Sequence, residues 1–293
     1  MCGIVGYIGN KEAYPFLIEG LKRLEYRGYD SSGIALLNKT QIQVFKKQGK
    51  VSEMENLVLS SQPKSKLGIG HTRWATHGSP NDVNSHPHYS NSKRLAIIHN
   101  GIIENYATLK EGLLKRGYTF ESETDTEVLV NLIEDVLVHT NVSLAEAVRI
   151  ALNQVVGAYA IAVIERGTLD QIVVAKKGSP LVIGVGDNEY FIASDATPFI
   201  EHTNQAIYLE EEEVALISLE KGLEIRTIAN KLIRPYIQKL ALEIESIEKG
   251  GYDHFMLKEV NEQPKSIFDT LRGRLLINKN SININGLNQY ETK

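Results

Sequence analysis

The sequence lacks several features by which whole classes of protein are recognised. Its 293 residues include a single cysteine, Cys2, which excludes an internal disulfide and is compatible with the cytoplasm. It has no run of about 18 apolar residues, so a transmembrane helix is not expected. The first residues have neither the basic region nor the apolar stretch of a secretory signal. We therefore expect a cytoplasmic protein that does not enter a membrane.

The sequence also lacks an excess of positive charge, a recognisable phosphate-binding loop and a complete metal-ligand set. The formal net charge is −4 and no concentrated basic face is evident, so no nucleic-acid partner is expected. The GVG stretch at 184–186 lacks the third glycine of a dinucleotide fingerprint, and there is no Walker-type loop. Five of the eight histidines lie within 71–99, but no cysteines surround His86 and His88 to complete a zinc-like ligand set. Packed or hydrogen-bonded histidines are favoured, and we expect no metal and no cofactor.

The apolar periodicity predicts an α+β protein. The order of predicted elements favours two sheets packed face to face between helical layers. In chain order they are a strand at 3–8, a helix at 11–26, strands at 33–37 and 41–45, a short helix at 50–60, strands at 66–70 and 94–98, helices at 104–116, 124–138 and 143–157, and strands at 158–165, 171–175, 181–185, 189–193, 214–218 and 223–228.

The composition changes after residue 230. Residues 231–249 predict a charged amphipathic helix, and a second helix is expected to stop at Pro264. The remainder is rich in asparagine and shows no clear core pattern. We therefore predict a domain over 1–230, followed over 231–293 by a linker or docking segment.

Cys2 is the first candidate for a chemical role. Small residues at positions 2 and 3 favour removal of Met1, which would leave a cysteine with a thiol and a free α-amino group. The thiol is a nucleophile, and an α-amine with a pKa of about 7.7–8.0 can accept and return a proton near neutrality. The alternative is that Cys2 is an ordinary small residue near a terminus, and position alone does not decide between the two.

Three further patterns are open to two readings each. Arg73 and His77 can bind a carboxylate or can form a surface ion pair with a packed neighbour. The pair Asn100-Gly101, just past a predicted strand, can stabilise an oxyanion or can be a plain turn. Asp125 can hold a ligand ammonium or can simply favour the start of its helix.

Several motifs, taken together, resemble one family. The sequence is similar to the glutaminase domains of glucosamine-6-phosphate synthases, which are glutamine–fructose-6-phosphate aminotransferases, over roughly residues 2–230, and it is also similar to the linker of that family further on. The motifs are CGI at 2–4, LKRLEYRGYDSSG at 21–33, HTRWATHG at 71–78, HNGIIEN at 99–105, SETDTE at 122–127 and FMLKEVNEQP at 255–264. The resemblance implies the N-terminal-nucleophile fold, a four-layer αββα sandwich.

The resemblance also implies roles for particular residues. Cys2 would attack the glutamine amide with its own α-amine as the base, and Asn100 and Gly101 would form the oxyanion hole. Asp125 would hold the α-ammonium of glutamine, and Arg27 would lie on a loop that closes over the site. The glutamine α-carboxylate would be bound by Arg73, Trp74, Thr76 and His77.

The family's sugar isomerase domains, which bind fructose 6-phosphate, have no counterpart after Pro264. We therefore expect this chain to release ammonia from L-glutamine without making glucosamine 6-phosphate itself, whether it is a truncated or a stand-alone form. The family enzyme is a homodimer built mainly by those domains, so this chain can be a monomer. The rival interpretations are another class II glutamine amidotransferase and a non-catalytic glutamine-binding module.

Overall fold

The structure is a computed structural model that describes residues 2–61, 63–240, 251–271, 275–276 and 281–282. The chain divides into two compact units, residues 1–241 and 242–293. No helix among the described residues has both the length and the apolar character needed to cross a bilayer.

The first unit contains an eight-stranded sheet. Its strands, in chain order, are β1 (Gly3–Ile8), β2 (Ser31–Leu37), β3 (Ile42–Gln48), β4 (Leu67–Arg73), β9 (Val182–Val185), β10 (Tyr190–Ala193), β11 (Gln205–Tyr208) and β15 (Gln238–Lys239). The spatial order is β15-β11-β9-β10-β1-β4-β2-β3. Strand β1 therefore lies in the interior of the sheet, antiparallel to both β10 and β4, and this position fixes the strand that follows Cys2.

A second, seven-stranded sheet packs against the first. Its strands are β5 (His88–Tyr89), β6 (Leu95–Ile103), β7 (Gly157–Glu165), β8 (Gln171–Lys177), β12 (Glu213–Ser218), β13 (Gly222–Thr227) and β14 (Leu232–Ile233), in the spatial order β14-β13-β12-β8-β7-β6-β5. Strand β6 pairs with β7 along its whole length, with Asn100 opposite Ala160 and Gly101 opposite Tyr159.

Helices cover the outer face of each sheet. Helices α1 (Ala13–Leu24) and α2 (Val51–Ser61) pack on the first sheet, and α3 (Tyr106–Lys115), α4 (Asp125–His139) and α5 (Leu144–Leu152) pack on the second. A third core, made almost entirely of small and branched aliphatic residues, fills the space between the sheets. The predicted four-layer αββα sandwich is confirmed.

Side-chain alternation along the strands assigns residues to these layers. In β1, Ile4 and Ile8 point into the core between the sheets, and Val5 and Tyr7 point toward the helical layer. In β6, Ile98 faces the other sheet and Ile97 faces the helices. Successive residues of a strand point to opposite faces. A polar residue near a strand end therefore points either into the space between the sheets or toward the helices, according to its position in this alternation.

The strands are longer than the sequence pattern predicts at two important places. Strand β6 continues through Asn100 and Gly101 to Ile103, so the Asn-Gly pair lies within a strand and the alternative reading as a plain turn is wrong. Strand β4 likewise includes Arg73. Polar residues ended the apolar runs in the sequence, whereas the antiparallel ladders continue through them. Strand β11 was not predicted.

The segment after residue 230 also differs from the prediction. The expected helix over 231–249 is wrong where the structure describes it, because β14 and β15 are strands that pair with β13 and β11. The rest of that prediction, 241–250, lies outside the described residues.

In the second unit, helix α6 (Phe255–Leu271) continues through Pro264, where the sequence predicted that it would stop. Proline removes one backbone hydrogen bond to residue 260, and Val260 is exposed to solvent, which can hydrate the carbonyl left free. The second unit also contains two short paired strands, β16 (Leu275–Leu276) and β17 (Ser281–Ile282).

Candidate active site

A cavity of about 410 Å³ opens where the start of β1, the ends of β4 and β6 and the first turn of α4 meet. All of the residues singled out from the sequence line this cavity. They are Cys2, Arg27, Arg73, Trp74, Thr76, His77, Asn100, Gly101 and Asp125. Residues far apart in the chain are thus brought together, although the role of each remains a prediction.

Cys2 lies immediately before β1, and its sulfur accepts a hydrogen bond from the backbone N–H of Trp74 at 3.1 Å. Burial raises the pKa of the thiol, and the Trp74 N–H opposes that rise only in part. The thiol is therefore protonated near neutrality, and a base is needed to make it a thiolate. The following Gly3 has no room for a side chain, because a Cβ there would lie 2.6 Å from Thr72 Oγ1.

Asn100 and Gly101 occupy adjacent positions of β6 beside Cys2. The Asn100 Nδ2 atom donates a hydrogen bond to the Cys2 carbonyl oxygen at 3.2 Å, which directs the amide N–H groups toward the cysteine. Gly101 has φ +135°, and a Cβ at this position would come within 2.0 Å of the Ala158 carbonyl oxygen. Only glycine satisfies both constraints.

The Arg73 guanidinium is buried and incompletely paired. Its NH2 group donates hydrogen bonds to the His77 carbonyl and, at 3.1 Å, to the Gly78 carbonyl. Its NH1 group makes no hydrogen bond within the described chain, and the nearest carboxylate oxygen, Asp30 Oδ1, is 3.8 Å away. One edge of the guanidinium is thus anchored, while the NH1 group is shielded from solvent and lacks a hydrogen-bond acceptor within the described chain.

The residues after Arg73 form one wall of the cavity. The Trp74 side chain is exposed and its ring rests against Gly28, while its backbone N–H contacts the Cys2 sulfur. The ring of His77 packs edge-on against Tyr106, with 5.3 Å between ring centroids. Asp30 accepts a hydrogen bond from the Ala75 N–H, which further fixes this segment.

Asp125 is the first residue of α4. Its Oδ2 atom accepts a hydrogen bond from the Ile103 N–H at 2.7 Å, which ties the carboxylate to the end of β6. Thr124 caps the helix by accepting from the Glu127 N–H, as its position in the sequence predicts. The Glu127 side chain completes a different set of contacts, since it accepts from the N–H groups of Glu121 and Ser122.

Arg27 lies in a short 3-10 helix, Glu25–Arg27, that follows α1. Its guanidinium forms an ion pair of 3.1 Å with Asp195 and lies 3.4 Å from the hydroxyl of Ser194, which also lines the cavity. Ser194 in turn accepts from the N–H of Ile4. Arg27 is thereby fastened to the residues that follow β10.

A buried cluster of four histidines, His71, His86, His88 and His99, borders the cavity, and two of them, His86 and His99, line it. The ring centroids of His71 and His86 are 4.3 Å apart, and those of His86 and His88 are 4.7 Å apart. Burial lowers the pKa of all four rings, to about 3 for His71. No group of residues suited to hold a metal ion exists among the described residues.

Two threonines at the start of α4 anchor the histidine cluster, and their role was not apparent from the sequence. Thr126 Oγ1 lies 2.9 Å from His86 Nε2 and 3.0 Å from His99 Nδ1, and Thr124 Oγ1 lies 3.1 Å from His88 Nε2. The sequence signal was the concentration of histidines, which indicated packed or hydrogen-bonded rings, but it did not reveal their partners.

Comparisons with known proteins find relatives that match the whole of this chain. The chain is 53% identical to the glutamine–fructose-6-phosphate aminotransferase (isomerizing) of Bacteroides thetaiotaomicron, over 100% of the chain and 48% of that protein. It is 50% identical to the enzyme of the same name from Chlorobaculum tepidum, over 99% of the chain and 48% of that protein. The chain therefore spans about half the length of the curated relatives that it matches.

Solved structures lead to the same group of proteins. The glutamine phosphoribosylpyrophosphate amidotransferase from B. subtilis, complexed with ADP and GMP, superposes with a TM-score of 0.66 at 29% identity, covering 80% of this chain and 50% of that one. A class-II glutamine aminotransferase domain protein from Silicibacter pomeroyi shares the fold, with a TM-score of 0.54 at 17% identity, covering 78% of this chain and 99% of that one. The family model for the glutamine amidotransferase domain matches residues 58–233, more than half of the chain, and the chain belongs to this family.

Proposed function

We propose that this chain hydrolyses L-glutamine to glutamate and ammonia through a thioester on Cys2. One observation carries the proposal. A thiol, a carboxamide donor, an incompletely paired guanidinium and a carboxylate line the same cavity of about 410 Å³, in Cys2, Asn100, Arg73 and Asp125 respectively. These groups are complementary to an amino acid with an α-carboxylate, an α-ammonium and a carbonyl to be attacked.

Binding would use the two charged groups. The glutamine α-carboxylate would accept hydrogen bonds from the guanidinium of Arg73, whose NH1 group has no partner in the described chain, and its α-ammonium would pair with the Asp125 carboxylate. Both protein groups are almost fully buried, at 4% and 5% exposure, so each charge interacts with the ligand with little screening by water. The side-chain amide would then lie toward Cys2.

Catalysis would begin after removal of Met1. The α-amine of Cys2 takes the thiol proton, and the sulfur attacks the amide carbon to form a tetrahedral intermediate. Asn100 and Gly101 N–H groups stabilise its oxyanion. The protonated α-amine gives its proton to the leaving nitrogen, so the C–N bond breaks, ammonia departs and a thioester remains. Water, deprotonated by the same amine, attacks the thioester to give glutamate and the free thiol.

With Met1 still attached, burial raises the pKa of the Cys2 thiol, which is consistent with the need for a base. A thiol that stays protonated near neutrality is not a ready nucleophile, so a neighbouring base must activate it. The described side chains that line the cavity include no histidine or carboxylate hydrogen-bonded to the sulfur, whose recorded partner is the Trp74 backbone. The α-amine is the base that the same residue provides.

We also propose the wider role. The curated relatives are named for the amination of fructose 6-phosphate, and this chain matches about half of their length. The ammonia released here would aminate fructose 6-phosphate on sugar isomerase domains, yielding glucosamine 6-phosphate. The glutaminase domain, predicted over 1–230, would also include β14 and β15, which pair with its sheets, and the second unit would be the linker toward the isomerase domains. The full-length enzyme would be cytoplasmic and a homodimer.

The test is direct measurement of glutamate and ammonia from purified protein whose loss of Met1 has been verified by intact mass. Wild type should release both products in equal amounts. C2A should release neither and should unfold at the same temperature as wild type. Glutamine binding to wild type without release of glutamate would refute hydrolysis and would favour a binding module.

A further inference from the structure

One hydrogen bond connects the two sheets directly behind the proposed oxyanion hole. His71 lies on β4 of the first sheet and Asn100 on β6 of the second. His71 continues the inward-facing series of Ile69, and Asn100 continues that of Ile98, so both side chains enter the space between the sheets. There, His71 Nε2 lies 2.8 Å from Asn100 Oδ1.

The orientation of the Asn100 amide determines which ring nitrogen of His71 carries the proton. The other end of the amide lies 3.2 Å from the Cys2 carbonyl oxygen, which can only accept, so the NH2 group must face Cys2. The Oδ1 atom therefore faces His71, and it too can only accept. The proton must then be on Nε2, which donates to Asn100.

Burial keeps this imidazole neutral, because it lowers the pKa of His71 to about 3. A neutral ring has one N–H, so with that proton on Nε2 the Nδ1 atom is left bare. The His99 backbone favours the protonated ring, but burial outweighs it, and Nδ1 makes no hydrogen bond of good geometry in the described chain. The ring of His86, 4.3 Å away centroid to centroid, restricts rotation of the His71 ring. The alternative tautomer would require Asn100 to turn over and present its oxygen toward Cys2.

We propose that His71 is a positioning residue, whose Nε2–H holds the Asn100 carboxamide with its N–H groups directed at the place where the oxyanion forms. With the amide reversed, an acceptor would face the developing negative charge, and transition-state stabilisation would be lost. This inference rests on the glutamine hydrolysis proposed above. It assigns His71 no contact with glutamine, so binding in the ground state should be unaffected.

Two substitutions of His71 test whether the N–H donor must be at the position of Nε2, where it reaches Asn100, or whether any donor on this side chain is sufficient. H71Q places an amide nitrogen near the former Nε2, whereas H71N places one near the former Nδ1 and leaves Asn100 without its partner. H71N should lower kcat about 10²-fold, the scale expected for a misplaced catalytic group, with KM within about threefold of wild type. H71Q should recover most of the loss. The control is H202Q, at an exposed histidine outside the cavity, which should leave both constants unchanged.

A double-mutant cycle separates positioning from general damage. N100A removes the group through which His71 acts, so adding H71N to N100A should change kcat by less than about twofold. If the two losses multiply, or if H71Q is as impaired as H71N, His71 does not act through Asn100 and the proposal is overturned. Melting temperatures of all variants identify any loss that comes from unfolding.

A measurement on the wild-type protein tests the proposal without turnover or folding of variants. In ¹⁵N-labelled protein the imidazole nitrogens report the tautomer directly, and His71 should show a protonated Nε2 and a bare Nδ1 from pH 5 to 8. A proton on Nδ1 would overturn the proposal. If wild type shows the expected tautomer but releases no glutamate, then glutamine hydrolysis fails and the orientation of Asn100 stands.

Discussion

The indole of Trp74 lies directly over the α-carbon of Gly28. A Cβ at Gly28 would be 2.2 Å from Trp74 Cζ3, and the glycine has φ +84°. This contact joins the loop after α1 to the loop after β4, and the latter carries the N–H that contacts the Cys2 sulfur. Glycine at position 28 therefore determines where the wall of the cavity lies relative to the Cys2 sulfur.

Substitution G28A should impair catalysis by displacing Trp74. We expect kcat/KM for glutamine to fall about 10–100-fold, because the ring must move and the Trp74 N–H moves with it. The unfavourable φ also costs on the order of 1–3 kcal/mol of stability. Glutaminase kinetics and thermal unfolding of the same preparation give the two effects separately.

Gly117 offers the matched control for that experiment. It has φ +90° and would place a Cβ in open space, with no atom within 4 Å. G117A should therefore lose stability through the backbone alone and keep wild-type kinetics. If G117A and G28A lose activity equally, the contact with Trp74 is not the cause.

Gly112 in α3 should be a site of simple stabilisation. A Cβ there meets nothing within 4 Å and the residue is within a helix, where alanine is favoured over glycine by roughly 0.5–1 kcal/mol. G112A should raise the free energy of unfolding by about that amount and leave activity unchanged, as urea denaturation would show. A lower free energy of unfolding would mean that α3 packs differently from the described structure.

Local sequence patterns predict much of this fold, because strands and helices with one buried face repeat apolar residues at a period of two or about 3.6. The limits of β1 and the cap at Thr124 follow from such local signals. Strand β6 exceeds its predicted end because the ladder with β7 continues through Asn100 and Gly101. Pairing with a strand some 60 residues away in the chain leaves no mark in the local pattern.

In the site, too, some features can be predicted from the local sequence and others depend on contacts between distant parts of the chain. Cys2 and the Asn100-Gly101 pair were predicted to act in catalysis from their residue types and from a motif resemblance, and both line the cavity. The contact between His71 and Asn100 depends on the register of two different sheets. The anchoring of Arg27 by Asp195 depends on where β10 ends. Neither relation can be read from spacing, because each pair becomes close only when the sandwich is assembled.

Asp125 should determine selectivity for the α-ammonium of glutamine. D125N retains an oxygen for the Ile103 N–H but removes the charge, so KM for glutamine should rise at least about tenfold while kcat changes little. Glutaramate, which lacks the α-amino group, provides the comparison. Wild type should strongly prefer glutamine, and D125N should reduce that preference. An unchanged preference would show that the carboxylate does not contact the ammonium.

The buried histidine cluster should make folding stability strongly dependent on pH. Burial lowers the pKa of His71, His86, His88 and His99, so below about pH 6.5 the unfolded chain binds protons that the folded chain does not. Stability is therefore fully present above pH 6.5 and falls as the pH decreases toward about 3, where His71 itself titrates. Each ring contributes a slope of up to about 1.4 kcal/mol per pH unit.

Urea denaturation at several pH values between 7.5 and 4.5 measures this slope, and a matched pair of variants identifies its source. H88Q removes one buried ring and should reduce the slope, whereas H139Q alters a histidine whose side chain is 62% exposed and should not. Because protonation of these rings opposes folding, the free energy of unfolding should decrease as the pH is lowered. A free energy of unfolding that stays constant or rises on acidification would mean that the rings are protonated in the folded protein, in contradiction to their burial.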